Sequence, residues 1–133
     1  MTDREADQDA TARLLVVEDD PRIAAVLVKG LQKQGFQADA VATGSDAISR
    51  AESGSIDLML LDLGLPDIDG LDVLRALRDR GITLPVIVVT ARSDPRDRTA
   101  AFDLGVRAYL TKPFAWADVW AAVHRESVAR DQS

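Results

Sequence analysis

Three features together point to an α/β fold with a parallel sheet. Short apolar runs alternate with segments of helical period through most of the chain. Asp-Pro pairs, which suit the cap and first turn of a helix, stand at Asp20-Pro21 and Asp94-Pro95. Ionic or hydroxyl side chains stand just beyond several of the apolar runs.

Leu14–Val17 is apolar throughout, as a strand covered on both faces would be. After the Asp20 cap, Ile23, Val26, Leu27 and Leu31 recur at helical spacing, predicting one buried face, and Gly35 ends the helix. Residues 36–42 predict the second strand. Residues 45–53 predict a short helix with Ala47, Ile48 and Ala51 on one face, closed by Gly54. Residues 56–61 are the most apolar stretch and predict a central strand ending at Asp62. A loop holding Gly64, Pro66 and Gly70 leads to a helix with Leu71, Val73, Leu74 and Leu77, stopped by Gly81. Residues 85–89 predict a fourth buried strand ending at Thr90. A helix from the Asp94 cap to Leu104, a short strand at 108–110 and a last helix at about 115–129 complete five βα units. In such sheets a ligand sits beyond the carboxyl ends of the strands, at a switch in strand order.

The 133 residues fit one domain, which at this size buries roughly 68% of its unfolded surface. With no cysteine, disulfides, thiolate metal sites and thiol catalysis are excluded. One histidine, His124, excludes a multi-histidine metal site and reads as a helix-surface residue. The net charge of −6 disfavours direct binding of nucleic acid. No apolar run approaches the ~18 residues of a membrane span, and the acidic N-terminus does not resemble a signal peptide. A cytoplasmic location is expected. Residues 1–12 have no hydrophobic period and carry four acids against one base, so a disordered acidic tail is expected before a folded domain at 13–130.

The strand ends carry the chemistry. The first ends in Glu18, Asp19 and Asp20, the third in Asp62, the fourth in Thr90, and the fifth is followed by Lys112. Asp20 before Pro21 is explained as a helix cap, which leaves Glu18 and Asp19 without that role. Two like charges about 4 Å apart repel by about 4 kcal/mol at an effective dielectric of about 20. Converging carboxylates therefore call for Lys112 and a divalent cation. An all-oxygen donor set suits Mg²⁺, Mn²⁺ or Ca²⁺ over zinc or copper, and Mg²⁺ needs only one or two carboxylates. Asp62 could then act as a nucleophile toward a phosphoryl group, with Thr90 and Lys112 stabilising its oxygens.

The stretches LLVVEDDP (14–21), LLDLGLPDIDG (60–70), VVTAR (88–92) and YLTKPF (109–114) occur in the order and with the spacing of a known family. The chain resembles the receiver domain of two-component response regulators over about residues 13–128. That resemblance implies a flavodoxin-like (βα)5 sandwich with strand order 2-1-3-4-5. It implies that Asp62 accepts a phosphoryl group from the phosphohistidine of a histidine kinase or phosphotransfer protein. Asp19, Asp62 and the Gly64 carbonyl would bind Mg²⁺ (Mn²⁺ being possible chemically), with Glu18 acting through water. Thr90 and Tyr109 match a switch pair and Lys112 a phosphate-binding lysine, and the bond to Pro113 is expected to be cis. The face made by the fourth helix, fifth strand and last helix would meet a downstream protein or output domain, the domain itself being a monomer or weak dimer. Such a domain catalyses only its own phosphorylation and dephosphorylation.

Gly64 and Arg92 stand two residues beyond Asp62 and Thr90, where the family tunes water access to the acyl phosphate; slow self-dephosphorylation is expected. Val106-Arg107-Ala108 lacks the acidic pair, and Ala121, Ala122 and His124 the basic residues, of the charge-paired dimers that winged-helix relatives form. Trp116 and Trp120, one turn apart, are expected to pack on the core, a partner surface being the alternative. An alternative is a metal-dependent phosphatase or phosphotransferase acting on a separate substrate. DIDG (67–70) superficially fits a dehalogenase-type phosphatase motif, but its first Asp follows Pro66 rather than a strand. A flavodoxin-like FMN site is disfavoured because Glu18, Asp19 and Asp20 would repel the phosphate.

Overall fold

The computed structural model describes residues 11–132. Ten elements alternate along it: β1 (Arg13–Val17), α1 (Pro21–Lys33), β2 (Gln37–Val41), α2 (Gly44–Glu52), β3 (Leu58–Leu61), α3 (Gly70–Asp79), β4 (Val86–Thr90), α4 (Pro95–Asp103), β5 (Ala108–Thr111) and α5 (Trp116–Gln132). All strand pairs are parallel and the order is β2-β1-β3-β4-β5. The fold is therefore the five-stranded, flavodoxin-like sandwich that the sequence leads one to expect.

Period-two alternation splits each central strand between two cores. Leu15, Val17, Met59, Leu61, Val86 and Val88 face α2, α3 and α4, meeting Ala47, Leu74, Leu77 and Ala101. Leu14, Val16, Leu58, Leu60, Ile87 and Val89 face α1 and α5, meeting Leu27, Leu31, Val119 and Val123. Trp116 and Trp120 pack against this second core, as expected. Trp116 lies so close to α1 that a Cβ on Gly30 would stand 2.6 Å from its ring. His124 is exposed, beside the Trp120 ring at 5.2 Å between centroids.

Several local expectations need correction. Val26 is 55% exposed, because the buried face of α1 runs through Ala24, Leu27 and Leu31. At roughly 100° per residue Val26 sits about 200° round from Ala24, on the outer side. Phe36 and Ile56 precede β2 and β3 rather than belonging to them, although both still pack on the cores. Residues 1–10 of the expected tail lie outside the described residues. Ala12 is buried, and its carbonyl accepts from the Gln37 N–H at 3.2 Å.

Candidate functional site

The sheet brings the sequence-predicted residues together at its carboxyl edge. Backbone bonds fix three of them just beyond their strands. Glu18 N–H donates to the Val41 carbonyl at 3.0 Å, Asp62 N–H to Val17 at 3.0 Å, and Lys112 N–H to Thr90 at 2.8 Å. Glu18, Asp62 and Thr90 are the buried polar residues among those described, while Asp19 is exposed. Carboxylate oxygens of Glu18, Asp19 and Asp62 all lie within 4.8 Å of one another. Lys112 bridges two of them, with Nζ 2.6 Å from Glu18 Oε1 and 2.9 Å from Asp62 Oδ2. The Lys112–Pro113 peptide bond is cis.

The electrostatics differ between the two buried acids. Burial works to raise the Asp62 carboxyl, but the Gly64 N–H, the Lys112 ammonium and the Thr90 hydroxyl outweigh it and hold the group below its ordinary range. Burial raises the Glu18 carboxyl above its ordinary value, and the charge on Asp62 adds to this; Lys112 and the Asp20 N–H oppose it only in part. For Lys112, burial favours the neutral amine, but Glu18 and Asp62 together outweigh that and raise its pKa. Of the two buried acids, Asp62 is thus the one held as an anion, with one oxygen on the Gly64 N–H and the other on Lys112. The donor set, three carboxylates with one exposed member, suits a hard divalent cation.

Asp20 caps α1 through bonds from the Arg22 and Ile23 N–H groups, the role expected of it. The DIDG acids also have structural roles. Asp67 accepts the Gly44 and Ser45 N–H groups at 2.8 and 3.0 Å, closing the start of α2. Asp69 caps α3 through the Leu71 N–H at 2.9 Å. Neither ends a strand, as the dehalogenase reading requires.

Two features were not visible in the sequence. Asp69 also forms a two-pronged ion pair with the Arg92 guanidinium, which raises the pKa of Arg92 and, against the effect of burial, lowers that of Asp69. Arg92 in turn meets the switch pair. Its N–H donates to Thr90 Oγ1 at 3.3 Å, and its carbonyl accepts the Tyr109 hydroxyl at 3.0 Å. Tyr109 is only 7% exposed; its pKa is raised by burial, and Arg98 lies 5.7 Å from its ring centroid.

Among known proteins, residues 14–124 match the sequence profile of the response regulator receiver domain. The chain is 41% identical over 109 residues to the transcriptional regulatory protein TcrA of Mycobacterium tuberculosis, covering 82% of this chain and 43% of that one. It spans about half the length of the curated relatives it matches. It is similar to the signal receiver domain of a Luxo repressor protein from Vibrio parahaemolyticus (TM-score 0.86, 28% identity, covering 92% and 94% of the two chains). It is also similar to the Thermotoga maritima response regulator TrrA, solved in complex with Mg²⁺ and BeF (TM-score 0.78, 30% identity, covering 87% and 99%). Among the described residues no helix is long and apolar enough to cross a membrane. With profile, relatives and strand order in agreement, the chain belongs to the response regulator receiver domains, the signalling domains of two-component systems.

Proposed function

We propose that Asp62 is the phosphoacceptor of a Mg²⁺-dependent switch whose donor is the phosphohistidine of a histidine kinase or phosphotransfer protein. The observation that carries this is the Asp62 carboxylate, buried just beyond β3, with one oxygen bonded by the Gly64 N–H and the other by the Lys112 ammonium. An Asp62 oxygen attacks phosphorus, the P–O bond forms as the P–N bond breaks, and the histidine leaves as imidazole. Lys112, bonded to Asp62, and Thr90, at the end of β4, would meet the phosphoryl oxygens. Asp19, Asp62 and the Gly64 carbonyl would hold Mg²⁺ or Mn²⁺, with Glu18 acting through water, and the ion supplies positive charge against the phosphoryl oxygens.

The folded unit extends slightly past the expected 13–130, taking in buried Ala12 and α5 to Gln132, and its surroundings would be cytoplasmic. It catalyses only its own phosphorylation and dephosphorylation; its family membership gives no support to the separate-substrate phosphatase. Phosphorylation adds charge where Thr90 and Lys112 can pair with it, and that differential contact biases the Thr90/Tyr109 arrangement. The responding face is α4, β5 and α5, which would meet a downstream protein or output domain while the unit stays a monomer or weak dimer. Gly64 brings no side chain to the phosphoryl position and the Arg92 guanidinium is engaged by Asp69, so the acyl phosphate should persist beyond seconds.

The test is intact mass after incubation with acetyl phosphate and Mg²⁺. One phosphoryl group is expected, removed by hydroxylamine and absent in Asp62→Asn. An unmodified chain, or an equal adduct on Asp62→Asn, overturns the reading.

A further inference from the structure

Arg92 is tied to three partners through three different groups. Its N–H reaches Thr90, its carbonyl receives Tyr109, and its guanidinium forks onto Asp69. Asp69 is itself fixed. It caps α3, and Gly70, next to it, donates to the Leu63 carbonyl at 2.8 Å. A Cβ on Gly70 would meet Leu63 Cα at 2.5 Å and the Asp62 carbonyl oxygen at 2.8 Å, so α3 starts in direct contact with the segment that carries Asp62. The loop after β4 is therefore held to the same frame as the phosphoacceptor.

The consequence falls on the Thr90 hydroxyl, which has one proton to give and lone pairs to receive. By accepting from the Arg92 N–H at 3.3 Å on a lone pair, it keeps its proton free for a partner at the carboxyl end of β4, where Asp62 stands. The Tyr109 ring stays inside while its hydroxyl binds the Arg92 carbonyl.

We propose that Asp69 and Arg92 are positioning residues: their ion pair holds the loop after β4 so that Thr90 faces Asp62 and Tyr109 stays buried. This inference rests on the phosphoacceptor reading of Asp62 for its functional consequence, but not for its effect on Tyr109. Both side chains are about one-third exposed (31% and 37%), so the bias is modest, about two- to five-fold.

The test uses Asp69→Asn, which keeps a capping oxygen, and Arg92→Gln. Tyr109 is the single tyrosine, so 3-fluorotyrosine labelling gives one fluorine resonance that reports ring burial. In both variants that resonance moves toward its solvent-exposed position, and the midpoint for BeF₃⁻ binding with Mg²⁺ rises about two- to five-fold. The double variant is no worse than either single one, because both break one contact. Arg92→Lys keeps the charge but loses the fork and falls between; it serves if Arg92→Gln folds poorly. An unmoved resonance in folded variants overturns the proposal, as does a double variant whose two effects add. If the unsubstituted protein fails to respond to BeF₃⁻, the phosphoacceptor reading fails instead, and the fluorine resonance still decides the role of the pair.

Discussion

Replacing Lys112 by methionine removes the ammonium between two buried acids and leaves a side chain of similar length. Glu18 and Asp62 then face each other with Asp19 nearby, all within 4.8 Å. At that separation and an effective dielectric of about 20, one pair of like charges repels by about 3.5 kcal/mol. Taking one partner from a buried ion pair costs about 3–5 kcal/mol, and the 16% exposure of the Lys112 side chain places this site at the lower end. A loss of about 3 kcal/mol at neutral pH is expected, or roughly 10 °C in melting temperature for a domain of this size. The loss should shrink in acid. The Asp62 pKa is lowered in the folded protein, so its stabilising contribution is complete above the ordinary carboxylate range and fades as pH falls through the folded value. In the variant one carboxyl of the pair is raised instead, so the variant regains stability as pH falls through that value. Mg²⁺ should also narrow the difference, because it supplies the missing charge. Urea unfolding followed by the fluorescence of Trp116 and Trp120 measures this at two pH values, with and without Mg²⁺. A neutral-pH loss below about 1 kcal/mol, or one independent of pH, would refute the electrostatic reasoning.

Three further outcomes are expected. Gly70→Ala should cost about 3 kcal/mol, because the atoms its Cβ would strike at 2.5 and 2.8 Å are backbone; an unchanged urea midpoint would contradict this. Mg²⁺ at ~100 times its dissociation constant should add about 2.7 kcal/mol to stability, read as a rise in melting temperature, and Asp19→Asn should remove most of that rise. Val26→Ser should change stability by no more than about 0.5 kcal/mol, whereas Leu27→Ala, one position further along α1, should cost about 2–5 kcal/mol in the same unfolding assay.

What could be read from the sequence follows from how each contact is encoded. Strands buried on both faces leave continuous apolar runs, so β1, β3 and β4 announce themselves, and the residues that end them are the ones the sheet gathers at its edge. Glu18, Asp62, Thr90 and Lys112 are therefore legible in the sequence as a set. The outward turn of Val26 was not, because apolar spacing alone does not say which side of a helix meets the sheet. Contacts between distant polar residues leave no local pattern. Asp69 and Arg92 stand 23 positions apart, and nothing in either neighbourhood marks them as partners. Asp67, which closes the start of α2, is hidden in the same way, inside a stretch that resembles part of an enzyme motif. Arg78, which donates to the Leu104, Ile82 and Leu84 carbonyls, is another case, since carbonyl acceptors carry no sequence signature.

The central claim is that the phosphoryl group resides on Asp62, and chemical mapping tests it most directly. Borohydride reduces an aspartyl phosphate to homoserine, so the protein phosphorylated by acetyl phosphate and Mg²⁺ can be reduced, digested and sequenced by mass spectrometry. Homoserine at position 62 and at no other aspartate is the predicted result. Reduction at Asp19, at another acid, or nowhere in a chain shown to carry the phosphoryl adduct would contradict it.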